Sequence, residues 1–207
     1  MDLCPALREL HTPRLLLQAG HEGLAAALCD YQQRNQAHFA PWDPPMPASF
    51  YTEAAQAERL RTGLRAFAEG SALRWWLSPL ASPGHIVGTV HLSQIARGAF
   101  HSAVLGYGLD GGLQGQGLMH EALQAAIAEA FSLRVNLHRI QAAWRPENLR
   151  SGAVLQRLGF EPEGLARQYL FIDGAWRDHR IATLLNGAFR PPSGWATAAS
   201  VPPAAER

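Results

Sequence analysis

The sequence contains no lysine, so all 18 of its basic residues are arginine. Schiff-base chemistry needs a side-chain amine and is excluded, as is a Walker-type phosphate loop, whose lysine meets the phosphates. Cysteine is almost absent too. Cys4 and Cys29 fit neither Cys-x-x-Cys nor zinc spacing, and point to reduced thiols in a cytoplasmic protein rather than a disulfide framework. Neither sign of charge is in marked excess. With 17 acidic residues against the 18 arginines, the formal net charge is +1, which leaves no broad cationic surface for nucleic acid. No run reaches the ~18 apolar residues of a membrane span. Met1–Leu10, with its acids and proline, is not expected to be a signal peptide. The nine histidines are scattered without a metal-ligand spacing, so no metal is expected.

What is present is a chain of 207 residues, 47% hydrophobic and 17% charged, long enough for one globular domain with a real core. A first strand is predicted over Thr12–Leu17 and a helix over His21–Arg34, with Leu24, Ala27, Leu28 and Tyr31 on one face. Phe39–Pro47 is too rich in proline for regular structure and reads as a stiff loop. Thr52 caps a helix that runs to Glu69, with Gly70 as its stop. The pattern then changes to period two: Leu73–Leu77, His85–Ile95 and Phe100–Leu109 read as an antiparallel meander. A helix over Leu118–Phe131 leads to a strand over His138–Trp144, expected to lie parallel to the last meander strand. A short helix over Leu149–Leu158 and a closing hairpin, Phe160–Ile172 and Arg177–Leu185 around Asp173–Gly174, complete the order. The fold class is α/β, a mixed sheet of about seven strands with an antiparallel meander and a parallel central pair. Residues 1–187 form the single domain, and the Pro- and Ala-rich 188–207 read as a disordered or loosely docked tail.

Between the third meander strand and the following helix stands Gln114–Gly115–Gln116–Gly117–Leu118–Met119. A strand that passes through two glycines into a helix N-terminus leaves several N–H groups unpaired and converging, an arrangement suited to a phosphate or pyrophosphate. Taken alone, Gly-x-Gly serves a plain tight turn equally well.

Seven runs share one likeness: Tyr31–Asn35, Pro41–Pro44, Leu105–Leu109, Gln114–Leu123, Asn148–Gly152, Leu158–Phe160 and Ile172–His179. Together they resemble the GNAT superfamily of N-acetyltransferases. Within it they are similar to the ribosomal-protein-alanine N-acetyltransferases of the RimJ/RimL group, nearer RimJ, over residues 12 to 185. The resemblance implies the GNAT fold, acetyl-coenzyme A as cosubstrate, and an acceptor that is the N-terminal alanine of a ribosomal protein. A small-molecule amine is the alternative acceptor, and a coenzyme-binding regulator without catalysis is the alternative class. The resemblance also implies that Leu109 meets the pantetheine arm and that the N–H groups of Gly115, Gln116, Gly117 and Leu118 hold the pyrophosphate, with Gln114 and Met119 also among the coenzyme-binding residues. Gly112 stands where the family pattern has a polar side chain, so that contact is lost. Membrane partners are not expected, and a homodimer is compatible with the sequence but not specified by it.

Acetyl transfer to an amine needs a neutral amine, a polarised thioester and a proton for the departing thiolate. Ser151 matches the family serine near the coenzyme sulfur, though it reads equally as a first-turn helix serine. Asn148 reads as the cap of that helix, and the resemblance adds a pantetheine contact. The acid that the family carries after Leu–Gly–Phe falls on Leu170, so the base must come from elsewhere. Asp43 in the rigid loop is the first candidate, with a turn-capping role as its alternative. His91 and Glu121 follow, one readable as a strand histidine and the other as a solvated helix residue. Trp42, Tyr107 and Trp176 could wall the acceptor slot or simply pack in the core.

Overall fold

The computed structural model describes residues 6–195. Eight strands form one sheet: β1 (Glu9–His11), β2 (Leu15–Ala19), β3 (Leu73–Pro79), β4 (Gly88–Ala96), β5 (Ser102–Leu109), β6 (Arg139–Trp144), β7 (Glu161–Ile172) and β8 (Ala175–Leu185). Their spatial order is β1-β2-β3-β4-β5-β6-β8-β7. The helices are α1 (Ala25–Arg34), α2 (Gln36–Phe39), α3 (Glu53–Glu69), α4 (Leu118–Phe131) and α5 (Leu149–Arg157).

The sheet has one strand more than the seven expected. Glu9–His11 pairs antiparallel with Leu16–Gln18, and three residues are too few for alternation to announce a strand. Thr12–Arg14, expected to open the first strand, is instead the turn between the two. The N–H of Thr12 donates to Leu15 O there, and the Thr12 hydroxyl accepts from Leu15 N. The first helix begins as a 3-10 turn at Glu22–Leu24, and the proline-rich segment is irregular only after the short α2. As expected, the Thr52 hydroxyl caps α3 by accepting from Ala55 N at 3.3 Å, and Gly70 ends it in the left-handed region at φ 69°.

Consecutive tryptophans divide the interior. Neighbouring strand residues point to opposite faces, so Trp75 enters the larger core beneath α4 while Trp76 enters a second core with Tyr31, Leu28 and Leu60 of α1 and α3. Met119, Leu123, Ala126, Ile127 and Ala130 form the buried stripe of α4, the pattern of a helix laid on a sheet.

The parallel pair is β5 with β6, and it is short. Pairing runs from Ser102↔Arg139 to Leu105↔Ala142 and stops there, although β5 continues to Leu109 and β6 to Trp144. Beyond Leu105 and Ala142 the two strands diverge and open a cleft. Residues 188–195 return against the sheet, where Phe189 and Trp195 stack edge-on with His101 at 5.2 and 5.3 Å. The remainder of the expected tail, 196–207, lies outside the described residues.

Candidate active site

The cleft has a volume of about 1260 Å³, more than the roughly 300–1,000 Å³ of a site for one small ligand. It has room for two substrates side by side. One half is bounded by the glycine turn and α5, the other by α1, α3 and the loop between them.

The glycine turn is held open from both sides. Gly115 and Gly117 sit at φ 79° and 77°, a left-handed conformation in which a Cβ is disfavoured. A Cβ on Gly115 would meet no heavy atom within 4 Å, so its main chain faces open space. The N–H groups of Gly115, Gln116 and Gly117 donate to no acceptor among the described residues, and those of Leu118 and Met119 belong to the unpaired first turn of α4. These donors, with the positive end of the helix dipole, fit a pyrophosphate.

Two ion pairs brace this turn, and neither was evident from the sequence. Arg14 donates from Nε to Glu121 at 2.7 Å and from Nη1 to Gln116 O at 2.9 Å, and Thr12 donates to the same carboxylate at 2.6 Å. Partial burial works to raise the Glu121 pKa, but the bonds from Thr12 and Arg14 outweigh it and hold the carboxyl below its usual range. Glu121 is therefore a structural anion rather than a base. On the other side, Arg34 pairs with Asp110 at 2.8 Å, and Asn35 Oδ1 accepts from Gly111 N at 3.1 Å. The Gln114 side chain joins His38 Nε2 at 3.1 Å and accepts from Arg150 of α5. Five separate elements thus fix the loop.

Across the gap, the Tyr107 hydroxyl lies 2.6 Å from Ser151 Oγ and donates to Ser151 O at 3.2 Å. Burial pushes the Tyr107 phenol up to about 12, with the Ser151 bond pulling the other way, so it stays protonated and can donate. Asn148 Oδ1 accepts from Ser151 N at 3.1 Å, the expected N-cap of α5. Gly152 lets the helix lie against β6, since a Cβ there would come within 2.8 Å of Trp144 Nε1.

In the other half, His91 of β4 stands opposite Gly106 of β5. The imidazole occupies the space a side chain at 106 would need, 2.3 Å from that Cβ position. Burial, then the nearby Arg74 and Arg59, keep its pKa well below the usual histidine value, and its buried Nδ1 has no partner. It is not the plain exposed strand histidine. Asp43, within the loop that follows α2, is exposed and lines the cleft. Crowding raises its pKa while Arg59, His38 and Arg74 pull it down, and the water at its exposed surface limits the rise. Trp42 beside it is covered by the Arg145 guanidinium, 5.6 Å from its ring centre, and Arg145 also donates to Pro41 O.

The structure therefore gathers Trp42, Asp43, Tyr107, Leu109, Gln114, Gly115, Gly117, Leu118, Met119, Asn148 and Ser151 around one cleft. Gln116 contributes to the turn through its backbone, held by Arg14, but does not line the cleft. Trp176 does not reach it either: it is 60% exposed at the hairpin tip and pairs with Phe171. The hairpin lines the cleft with Tyr169, Leu170 and His179 instead. Among the described residues no group of three or more His, Cys, Asp or Glu could hold a metal, and no helix is long and apolar enough to cross a membrane.

A sheet whose central parallel pair splays beside a glycine-to-helix turn defines a class. The chain belongs to the acetyltransferase (GNAT) domain family, which matches residues 14–161. It is an N-acetyltransferase that uses acetyl-coenzyme A. Among its relatives is the [ribosomal protein uS5]-alanine N-acetyltransferase of Escherichia coli K12, 38% identical over 88% of this chain and 93% of the relative. Similar solved structures include a ribosomal-protein-S5-alanine acetyltransferase from Vibrio fischeri (TM-score 0.84, 34% identity, 88% of this chain, 99% of that one). Another is Mycobacterium smegmatis RimJ in complex with CoA-disulfide (TM-score 0.78, 31% identity, 86% of this chain and 85% of that one).

Proposed function

We propose that the enzyme acetylates the N-terminal alanine of a ribosomal protein, in the cytoplasm where such proteins are made. The observation that carries this reading is the 38% identity to the uS5-alanine enzyme across nearly all of both chains. The open, two-sided cleft agrees with it, because a protein N-terminus must enter without being enclosed.

In this reading the N–H groups of Gly115, Gln116, Gly117, Leu118 and Met119 hold the pyrophosphate. Leu109, Gln114 and Asn148 border the pantetheine arm, which takes the main-chain groups that β5 and β6 leave unpaired. Bound there, the coenzyme supplies an activated acetyl thioester. Trp42 and Tyr107 border the slot for the acceptor.

The acceptor amine needs little activation: an α-amino group with pKa near ~8 is already neutral in part at pH 7. Held in place, its nitrogen attacks the carbonyl carbon, the new N–C bond forms and the C–S bond breaks. Asp43 takes the surplus nitrogen proton through cleft water. Ser151, bonded to the protonated Tyr107, gives the departing sulfur its proton and regains one from solvent.

Intact-mass analysis of ribosomal proteins incubated with enzyme and acetyl-coenzyme A tests the reading. One acetyl added to a single alanine-starting protein is the expected result. No acetylated ribosomal protein, with thiol release on small amines instead, would overturn it.

A further inference from the structure

Two arginines in the acceptor half of the cleft have no acid of their own. Arg59 of α3 and Arg74 of β3 both lie over the buried Trp76 ring, with guanidinium carbons 5.0 and 5.4 Å from its centre, and Arg59 also lies 5.2 Å from the centre of Phe50. Their protein bonds are long and neutral: Arg59 Nη1 to Gln56 Oε1 and Arg74 Nη1 to Thr89 Oγ1, each 3.4 Å. Neither forms an ion pair among the described residues, whereas Arg145 on the same cleft pairs with Glu147.

Like charges brought together partly out of water oppose each other. Burial, then Arg59, push the Arg74 guanidinium down to about 9. Asp43 faces both but lies beyond ion-pair distance on the loop, so the cluster is one positive charge in excess. A third donor completes it. The Tyr31 hydroxyl, on a residue 1% exposed, lines the same cleft and has no partner, and burial raises its pKa so that it keeps its proton. The cation–π contacts with Trp76 engage no hydrogen-bond acceptor, so most N–H groups of both guanidinium ions remain for a ligand.

We propose that Arg59, Arg74 and Tyr31 form a carboxylate subsite, so that the enzyme selects acceptors with an acid close to the amine it acetylates. This refines the acceptor reading above and rests on it. Three donors, two of them cationic, match the oxygens of a carboxylate, while Asp43 stands where the positive amine end of the same molecule could be drawn. Such a carboxylate could be an acidic side chain downstream of an N-terminal alanine or the α-carboxylate of a free amino acid.

The test compares kcat/KM for alanine-starting peptides carrying Glu or Asp, against Gln or Asn, at each of the next few positions, together with free alanine against alaninamide. With peptides, one position should favour the acid by about tenfold or more. Arg59→Met or Arg74→Met should bring that ratio close to one, and Arg59→Lys should restore part of it, while calorimetry shows acetyl-coenzyme A still bound and the protein therefore folded. Peptides acetylated with no acid preference at any position would remove the subsite and leave the acceptor reading standing. A preference for free alanine over alaninamide, with peptides unused, would keep the subsite and overturn the acceptor reading. The wild-type series decides even if both variants fail to fold.

Discussion

The hydroxyls of Tyr107 and Ser151 lie 2.6 Å apart, joining β5 to α5 across the gap where the sheet divides. Each should lose most of its effect without the other. Tyr107→Phe and Ser151→Ala are each expected to lower kcat by about a hundredfold, in the range of a positioned proton donor, with the KM for acetyl-coenzyme A little changed. The double variant should be hardly worse than either single one. Steady-state kinetics on the three proteins checks this, and fully additive losses would show the two groups acting separately.

The pH profile should be set by the acceptor. Because the Tyr107 phenol is pushed up to about 12, it remains protonated throughout the working range. kcat/KM should rise with deprotonation of the α-amine near pH ~8 and then stay level to about pH 10. A decline within that plateau would mean that the Tyr107 phenol, which holds Ser151, ionises earlier than its burial implies.

Arg14 and Glu121 join the β1–β2 turn to the first turn of α4, and Arg14 also steadies the Gln116 carbonyl. Glu121→Gln should raise the KM for acetyl-coenzyme A severalfold and cost about 1 kcal/mol of stability. That is below the usual value for a charged hydrogen bond, because Arg14 is half exposed. The Glu121 pKa is lower folded than unfolded, so its stabilisation is complete above the unfolded value near ~4.3 and is lost as pH falls through the folded one. Urea midpoints of the parent and Glu121→Gln proteins should therefore converge on acidification from pH 7 to about 3.

Gly106 and His91 share one space. Gly106→Ala places a Cβ 2.3 Å from the imidazole and should destabilise by about 1–3 kcal/mol, the cost of overpacking. Adding His91→Ala should recover part of that loss. Thermal melts of the single and double variants measure it, and no recovery would mean that the strain lies in the backbone.

Gly115→Ala separates conformation from contact. Its Cβ would meet nothing in the protein, so the stability cost should be only about 1 kcal/mol, that of a left-handed non-glycine residue. Coenzyme affinity, read by calorimetry, should drop about tenfold or more, because the methyl occupies the space the phosphates need. Equal affinity would place the pyrophosphate elsewhere.

Much of this was legible from local pattern. The period-two runs of the meander, the stripe of α4, the Thr52 and Asn148 caps and the paired glycines are each decided by residues a few positions apart. The parallel pair followed from topology, since a helix separates its strands. The three-residue β1 and the divergence after Leu105 and Ala142 were not visible, because neither leaves a periodic trace. Partners far apart in sequence were hidden as well: Tyr107 with Ser151, Arg34 with Asp110 and Arg14 with Glu121 meet only after folding. His91 could not be recognised as confined until Gly106 was known to stand opposite. Trp176 reads from the sequence as either a wall of the acceptor slot or core, but alternation along an edge hairpin does not say which side turns inward, and the ring sits outside both.

The short register between β5 and β6 has a consequence for how the protein keeps company. A strand with one unpaired side usually invites another chain to join it, which is why exposed edges are shortened, charged or covered. Here the unpaired stretch of β5 after Leu105 lies in the middle of the sheet, flanked by β4 on one side and by the base of β6 on the other. A foreign strand cannot approach along its whole length, but a narrow, flexible chain can be threaded in from the end. The sheet thus keeps an adhesive seam in its interior, open to a slender ligand and closed to aggregation.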